Sequence, residues 1–339
     1  MSFDAFREKP VSEKKLGGRT VSQTNAFEAT RAHNLLNLDA AQKEFLKKDP
    51  ELANAINSLI DSVDMGSLQS IFQEYAVKSG VSRERVNRIA REKIFLVTHV
   101  EGSGEDAIMG YFNVANAVQI DGKKFEQLRN NVGNTENILG FLRLLFHEFA
   151  HATSRNECTM TDTIFNRTNV NVSGIRETVE SLMIPGFPSK KVEVYVFLNE
   201  GITELIAGEV FAEYIRRHPL DDVSSVDVSK TIFRSMVKNG TYSIAQDIVL
   251  SIVNEVRKDM GVSKDVVWRS FMRQYYSGEL QTQEFSNALS TVFDRKFVER
   301  LRSAHTLQEL DELDLDLFDG SVDKKMEWLK HIDTSRGAL

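Results

Sequence analysis

The chain has 339 residues, of which 41% are hydrophobic and 27% charged, a composition typical of globular proteins rather than disordered or fibrous ones. Its net charge of -7 and its lack of a long Lys/Arg cluster exclude the electrostatic footprint of a nucleic-acid binder. The length exceeds the usual size of one domain, so we expect one large unit or two to three smaller ones.

The cysteine content and the N-terminal sequence bear on the compartment. Cys158 is the only cysteine, which excludes an intrachain disulfide and is typical of a reducing compartment. The stretch MSFDAFREKPVSEKK lacks the apolar core of a signal peptide, and no run approaches the roughly 20 apolar residues of a membrane span. We therefore expect a cytoplasmic protein without a membrane span, and signal-independent export stays open.

The N-terminal quarter of the chain is predicted to be helical after a polar arm. Residues 1–24 are polar and predict a flexible segment. From residue 25 to 92, apolar residues recur at intervals of three and four, and Pro50 is well placed near a helix start. We predict a helical N-terminal unit over residues 25–92.

The hydrophobic period then changes, which marks the start of a sheet. Residues 93–100 and 108–121 are rich in β-branched and aromatic side chains and predict two strands joined by a turn. The polar stretch 122–134 predicts a loop, and a long helix follows over about 135–154. Strand-like pieces within 152–198 predict a hairpin or flap.

A second long helix is predicted over about residues 199–217, because Pro219 cannot continue it. Residues 226–305 are helical in pattern, and the chain then runs into the acidic segment ELDELDLDLFDG. The order of elements predicts an α+β fold. Its sheet and two long helices lie within 93–220, and a helical C-terminal unit with the acidic segment spans 221–339.

The helix predicted over 135–154 contains the stretch FHEFAHATS and is apolar nearly all round, so it must be buried. At about 100° per residue, Arg143, His147 and His151 fall along one stripe. An unpaired buried polar group costs on the order of 1–3 kcal/mol, so this stripe must meet partners.

The two histidines stand four residues apart, an arrangement that lets both imidazoles reach one Zn²⁺. Glu148 lies about 100° round the helix from His147, close enough to address a water without binding the metal. This is the HExxH pattern of a metallopeptidase. The alternative is a structural pair of core histidines.

A catalytic zinc takes three protein ligands, and the sequence offers two candidates for the third. Glu157 stands six residues after His151, where the extended HExxHxxGxxH motif has its last histidine. That motif requires a glycine to turn the chain back, and Ser154 occupies the position here.

The other candidate is Glu200, which shares a helix face with Glu204 in FLNEGITELIAGEVF. Apolar neighbours indicate that this helix packs on the core, so both carboxylates can face the histidine helix. The other side of the helix carries charged residues that are most simply a solvated face: Glu209, Glu213, Arg216 and Arg217.

HExxH followed by NExx[ST][DE] resembles the gluzincins, the thermolysin-like zinc peptidases, and LNEGITE is similar to uncharacterised bacterial gluzincin-like proteins. The matching residues are His147, Glu148, His151, Asn199, Glu200, Thr203 and Glu204. The resemblance implies one Zn²⁺ per chain, held by His147, His151 and Glu200. Glu148 would be the general base, and Glu204 would orient a ligand histidine from outside the ligand set.

The resemblance also implies a zincin-like catalytic unit at 93–220, flanked by the two helical units. An edge strand before the active helix, within 112–120, would bind an extended peptide by strand addition. His151 and Glu200 are 49 residues apart, farther than is usual among thermolysin-like proteins, so residues 152–198 would hold an insertion.

These features predict a zinc-dependent peptidase that acts on a peptide or protein substrate. One alternative is a gluzincin-like module that binds a partner without catalysis. A deformylase-type hydrolase also uses HExxH, but it takes an upstream cysteine ligand, whereas Cys158 lies downstream. The sequence does not specify an oligomeric state.

A peptidase also needs a donor for the developing oxyanion. Tyr242, at a predicted helix start, is our first candidate, and Tyr275, Tyr276 and His305 are the others. The remaining histidines show no paired spacing and are predicted to be structural or exposed: His33, His99, His218 and His331.

Overall fold

The computed structural model describes residues 21–100, 109–112, 116–131, 134–162, 166–183, 190–219, 240–318, 321 and 323–324. Its helices are α1 (Val21–Lys48), α2 (Pro50–Asp61), α3 (Met65–Lys78), α4 (Gly122–Asn131), α5 (Asn134–Thr153), α6 (Val196–Arg217), α7 (Gly240–Met260), α8 (Lys264–Ser277), α9 (Thr282–Leu289), α10 (Arg295–Ser303) and α11 (Leu307–Asp316). Its strands are β1 (Ile94–Val97), β2 (Met109–Phe112), β3 (Ala117–Asp121), β4 (Asn156–Asp162), β5 (Asn166–Ser173), β6 (Arg176–Met183) and β7 (Lys190–Val194). The predicted α+β class is confirmed, with mostly helical structure and two small sheets.

The helices near the N-terminus begin at side-chain caps. The carboxylate of Asp49 accepts a hydrogen bond from the Leu52 amide, and Pro50 opens α2, where its missing N–H costs nothing. The carboxylate of Asp64 accepts from the Ser67 amide at the start of α3. Residues 1–20 of the predicted arm lie outside the described residues, and the prediction was wrong for residues 21–24, which form the first turn of α1.

The first sheet has the strand order β1-β3-β2. β1 runs parallel to β3, and β2 runs antiparallel to it. The prediction of two strands joined by a turn was therefore wrong. The segment 108–121 contains two strands, β2 and β3, and β1, which precedes them in sequence, pairs in parallel with β3. β3 is the central strand, so β2 is the edge strand of this sheet that lies beside α5. The bounds 112–120 predicted for the edge strand were therefore wrong, because residues 117–120 belong to the central strand β3.

The polar stretch after β3, predicted as a loop, forms α4. Asp121 caps it: its Oδ1 accepts hydrogen bonds from the amides of Lys123 and Lys124, each at 3.0 Å. The ring of Phe125 is buried in the core, which fixes the helix against the neighbouring structure. The cap by Asp121 and the burial of Phe125 thus stabilise a helix in a stretch whose polar composition favours a loop.

The second sheet is antiparallel, with the strand order β4-β5-β6-β7, and it lies in sequence between α5 and α6. The predicted hairpin or flap is thus a four-stranded sheet. At the turn between β5 and β6, Gly174 has a φ of 60°, which suits glycine. The next residue, Ile175, donates its amide to the side-chain oxygen of Asn199 at 3.0 Å, so this turn is bonded to the start of α6.

The centre of the molecule is formed by α5 and α6, which pack on each other, with α7 on the other side of α6. Gly201 permits this close approach, because a Cβ built there would lie 2.4 Å from the carbonyl oxygen of Ala245 on α7. The acidic segment near the C-terminus forms α11, which packs on α7. None of the described helices is both long and apolar enough to cross a bilayer.

Candidate metal centre

The polar stripe of α5 is buried inside the core, as its surroundings in the sequence predict. Arg143, His147 and His151 of this stripe, and the neighbouring Glu148, have between 3% and 7% of their surface exposed. The apolar residues of the same helix pack on the first sheet and on α6. The stripe therefore faces other protein groups rather than bulk solvent, and its partners determine what it can do.

Glu200 reaches the same place from the first turns of α6. This helix starts after Tyr195, which has a left-handed backbone with a φ of 57°, and the buried Tyr195 hydroxyl lies 2.6 Å from Ser286 Oγ. Nearly every side of α6 is buried in its first half, so the helix has little freedom to rotate. The Glu200 side chain keeps 15% exposure, which leaves the site a route to solvent.

Three ligand atoms form a nearly equilateral triangle. His147 Nε2 lies 3.2 Å from His151 Nε2, and Glu200 Oε2 lies 3.3 Å from the first and 3.2 Å from the second. A tetrahedral Zn²⁺ with bonds of about 2.0 Å separates its ligands by about 3.3 Å. The spacing therefore fits one small ion that keeps a fourth position open, and His147, His151 and Glu200 are the group of described residues that could hold a metal.

The outer partner of His147 is Glu204, one helical turn after Glu200. Glu204 Oε2 lies 2.6 Å from His147 Nδ1, and its other oxygen pairs with Arg143, whose Nη2 also donates to the Glu204 carbonyl at 3.0 Å. A carboxylate can only accept, so His147 carries its proton on Nδ1. Nε2 is thereby directed into the triangle.

The outer partner of His151 is Thr203, whose hydroxyl oxygen lies 3.4 Å from His151 Nδ1. The ring of Tyr111, on the edge strand β2, is stacked parallel to the His151 ring with 6.1 Å between their centroids. The hydroxyl of Tyr111 donates to the side chain of Asn116 at 2.8 Å. The His151 ring is therefore held by Thr203 at its Nδ1 edge and by the Tyr111 ring on one face.

Charge in the site is distributed so that a cation is favoured. Burial disfavours a charged imidazole, but hydrogen bonds to Glu200 and Glu204 outweigh it and raise the pKa of His147 to about 10. Burial opposes ionisation of Glu200, yet the charge of His151 and the hydrogen bonds from the two histidines hold its pKa well below the usual value. Burial also opposes ionisation of Glu204, but Arg143 and His147 lower its pKa to about 2. A divalent ion in the triangle would replace the proton on His147.

Glu148 stands next to the triangle but is not part of it. Burial raises the pKa of its carboxyl, against the opposing charges of His147 and His151. Among the described residues, its carboxylate forms no hydrogen bond or ion pair. It is therefore a buried carboxylate with its basicity increased and its oxygens available to a further molecule, which is what a general base requires.

The other predicted site residues have different positions. Glu157, the rival third ligand, lies on β4, where its carboxylate accepts a hydrogen bond from Arg155 at 2.6 Å. Tyr275 has no exposed surface, and its hydroxyl is bonded to Ala150 and Thr203, so it does not face a substrate. Tyr276 is buried too, and His305 is exposed. Tyr242 falls in α7, but its side chain lies outside the described residues.

Several contributors to the site are absent from the predicted set. Arg143 was placed on the correct stripe, but its pairing with Glu204 spans 61 residues and has no local signal. Thr203 belongs to the motif NExx[ST][DE], four residues after Asn199. That spacing does not indicate that the Thr203 hydroxyl lies near His151. Tyr111 could have been suggested only by its place in a strand before the HExxH helix.

Comparison with models of protein families, with curated proteins and with solved structures finds no match for this chain. The functional interpretation of the site consequently starts from its own geometry. Three converging side-chain atoms, two histidines that each contact a side chain of α6 through Nδ1, and an adjacent carboxylate with no hydrogen bond among the described residues are the features to be explained.

Proposed function

We infer that this chain is a zinc-dependent peptidase of the gluzincin type, with a zincin-like unit formed by the first sheet, α5 and α6. The triangle of His147 Nε2, His151 Nε2 and Glu200 Oε2 carries the proposal, because its 3.2–3.3 Å edges match a tetrahedral zinc site. Two imidazoles and one carboxylate are also a donor set that catalytic zinc commonly uses. The expected stoichiometry is one ion per chain.

When bound, zinc would lower the pKa of water from about 15.7 toward about 7 and polarise a scissile carbonyl. The residues of the chain have separate tasks around it. Glu148 takes the proton from the attacking water and transfers it to the leaving amine, for which its raised pKa is suited. Glu204, held by Arg143, keeps His147 oriented, and Tyr242 remains the proposed donor to the oxyanion.

An extended peptide is the substrate class that the surroundings favour. β2 has one side paired with β3, and no described strand pairs with its other side. It packs beside α5 and places Tyr111 against His151. A peptide added along this edge would pass the triangle with its backbone bonded to the strand.

Metal analysis combined with one substitution tests the proposal. The purified chain should contain about one zinc, and Glu148→Gln should keep that zinc while losing peptide hydrolysis by at least about 100-fold. Glu157→Gln, which changes a carboxylate outside the triangle, should keep both. A wild-type chain without stoichiometric zinc, and without activity when zinc is added, would overturn the proposal.

The same preparation discriminates the alternative of a non-catalytic module. A proteome-wide search for new chain termini after incubation with the wild-type chain should find cleavage that Glu148→Gln does not produce. Stoichiometric zinc with no new termini would instead support a gluzincin-like module that binds a partner without hydrolysis.

A further inference from the structure

Tyr275 is a buried tyrosine of α8 that touches both helices of the metal centre. Its hydroxyl lies 3.0 Å from the carbonyl oxygen of Ala150 on α5 and 2.9 Å from Thr203 Oγ1 on α6. Thr203 Oγ1 in turn lies 3.4 Å from His151 Nδ1. A continuous hydrogen-bonded path therefore runs from the C-terminal helices to one of the candidate ligands.

The direction of this path follows from its fixed end. A carbonyl oxygen can only accept, so the one proton of the Tyr275 hydroxyl is donated to Ala150. The tyrosine oxygen then accepts from the Thr203 hydroxyl, whose single proton is thereby used. Thr203 can then only accept from His151, so Nδ1 of His151 is the donor in this contact.

We propose that Tyr275 is a positioning residue: it holds the Thr203 hydroxyl so that Thr203 accepts a hydrogen bond from Nδ1 of His151, which directs Nε2 of His151 toward the metal position. The proposal rests on the metal site of the proposed function but not on peptide hydrolysis. Tyr275 touches neither metal nor substrate in this role. Its task is to connect the docking of α8 with the geometry of a ligand that α5 supplies.

The chain supplies a matched control one residue away. Tyr276 is also in α8 and has 1% of its surface exposed, and its hydroxyl lies near Thr153 without contacting Thr203 or His151. Tyr275→Phe and Tyr276→Phe therefore remove the same atom from neighbouring buried rings. Only the first change interrupts the path to His151.

The first measurement is the zinc dissociation constant, obtained by competition with a chromophoric chelator. Loss of an outer partner of a metal-bound histidine typically weakens metal binding about 10- to 100-fold. We expect a loss in that range for Tyr275→Phe and a change of less than about twofold for Tyr276→Phe. Equal dissociation constants for the two variants would overturn the proposal.

Changes at the middle of the path separate positioning from packing. Thr203→Val removes the hydroxyl at nearly constant shape and should weaken zinc binding as Tyr275→Phe does, whereas Thr203→Ser should retain the affinity. Because both residues act through one path, the variant with Tyr275→Phe and Thr203→Val together should lose no more than either alone. Losses that simply add would show that Tyr275 acts by another route.

A third readout reports on the path itself. In the zinc-loaded chain, ¹H–¹⁵N NMR of the histidine side chains should show the Nδ1–H of His151 exchanging slowly with solvent in the wild type and in Tyr276→Phe, and faster in Tyr275→Phe. An unchanged exchange rate in Tyr275→Phe would overturn the proposal. If the wild type bound zinc but did not hydrolyse peptides, the proposed function would fall while these measurements still decided the role of Tyr275.

Discussion

Nδ1 of His147 lies 2.6 Å from Oε2 of Glu204, and this contact joins the helix of the two histidines to the helix that supplies the carboxylate ligand. It also explains why two glutamates four residues apart appear on one face of α6. The first points into the triangle of ligand atoms, and the second holds one corner of that triangle in place.

We predict that Glu204→Gln weakens zinc binding about 10- to 100-fold without unfolding the chain. The amide can still accept from His147, but it lacks the charge that pairs with Arg143 and favours a cation nearby. The zinc dissociation constant checks this. Glu193→Gln is the control, because Glu193 also pairs with an arginine, Arg176, but on the second sheet. A variant at Glu204 that binds zinc as tightly as the control would contradict the role given to this carboxylate.

The identity of the third ligand is open to a direct comparison. Glu200→Ala should lose nearly all bound zinc, because two histidines alone leave the ion without its third protein ligand. Glu157→Ala should retain it, since that side chain pairs with Arg155 outside the triangle. Metal content after gel filtration, measured for both variants, checks the prediction. If Glu157→Ala lost its zinc and Glu200→Ala kept it, Glu157 would be the third ligand, as in the extended HExxHxxGxxH motif.

Two helical glycines should respond in opposite ways to a methyl group. Gly201→Ala places a Cβ 2.4 Å from the Ala245 carbonyl and should lower the free energy of unfolding by about 1–3 kcal/mol. Gly140→Ala, in α5, meets nothing within 4 Å and should raise it by about 0.5–1 kcal/mol. Urea unfolding of the metal-free variants checks both. An equal shift for the two would show that α6 and α7 can move apart without cost.

Glu209 should make the free energy of unfolding decrease as pH rises. Burial raises the pKa of this carboxyl on α6, beside the hydroxyl of Tyr75. The folded chain thus holds the proton more readily than the unfolded one. Stability from this group is complete below the ordinary pKa of glutamate and is lost as pH rises through the folded value. Glu209→Gln should therefore stabilise the chain more at pH 7 than at pH 4.

Glu213, four residues further along α6, supplies the opposite case. Hydrogen bonds from Arg216 and Arg217 lower its pKa to about 2, so its contribution is present above the ordinary glutamate pKa and is lost on acidification. Glu213→Gln should consequently lose stability at pH 7 and little at pH 2. Thermal unfolding at a series of pH values, for both variants, checks the two signs together. Parallel curves would show that neither carboxyl is perturbed.

The parts of the fold that sequence predicts well are those with local signals. The helix bearing HExxH was expected over 135–154 and runs from Asn134 to Thr153, because its apolar pattern and its length are unambiguous. The end of α6 before Pro219 follows from the chemistry of proline. The grouping of Glu200 and Glu204 follows from helical spacing alone.

The parts that sequence did not predict depend on distant partners. Nothing within Ile94–Val97 shows that it pairs in parallel with β3, since a parallel pair is joined by long connections. The prediction that Glu209 lies on a solvated face is wrong, because its carboxyl is partly buried beside the hydroxyl of Tyr75 on α3. The cap of α4 by Asp121 was a local signal and could have been found, because Asp is a preferred N-cap residue.

The second sheet begins three residues after one ligand helix and ends beside the start of the other. His151 and Glu200 are 49 residues apart in sequence and 3.2 Å apart in space, so β4 to β7 leave and return to the same place. The free energy of closing such an excursion grows only slowly with its length. Residues could therefore be added to these strands away from the β5–β6 turn, which is bonded to Asn199, without displacing a candidate ligand atom. The number of residues between the two motifs is then a poor measure of how similar two such sites are. The spacing of the candidate ligand atoms, where α5 and α6 meet, is the better measure.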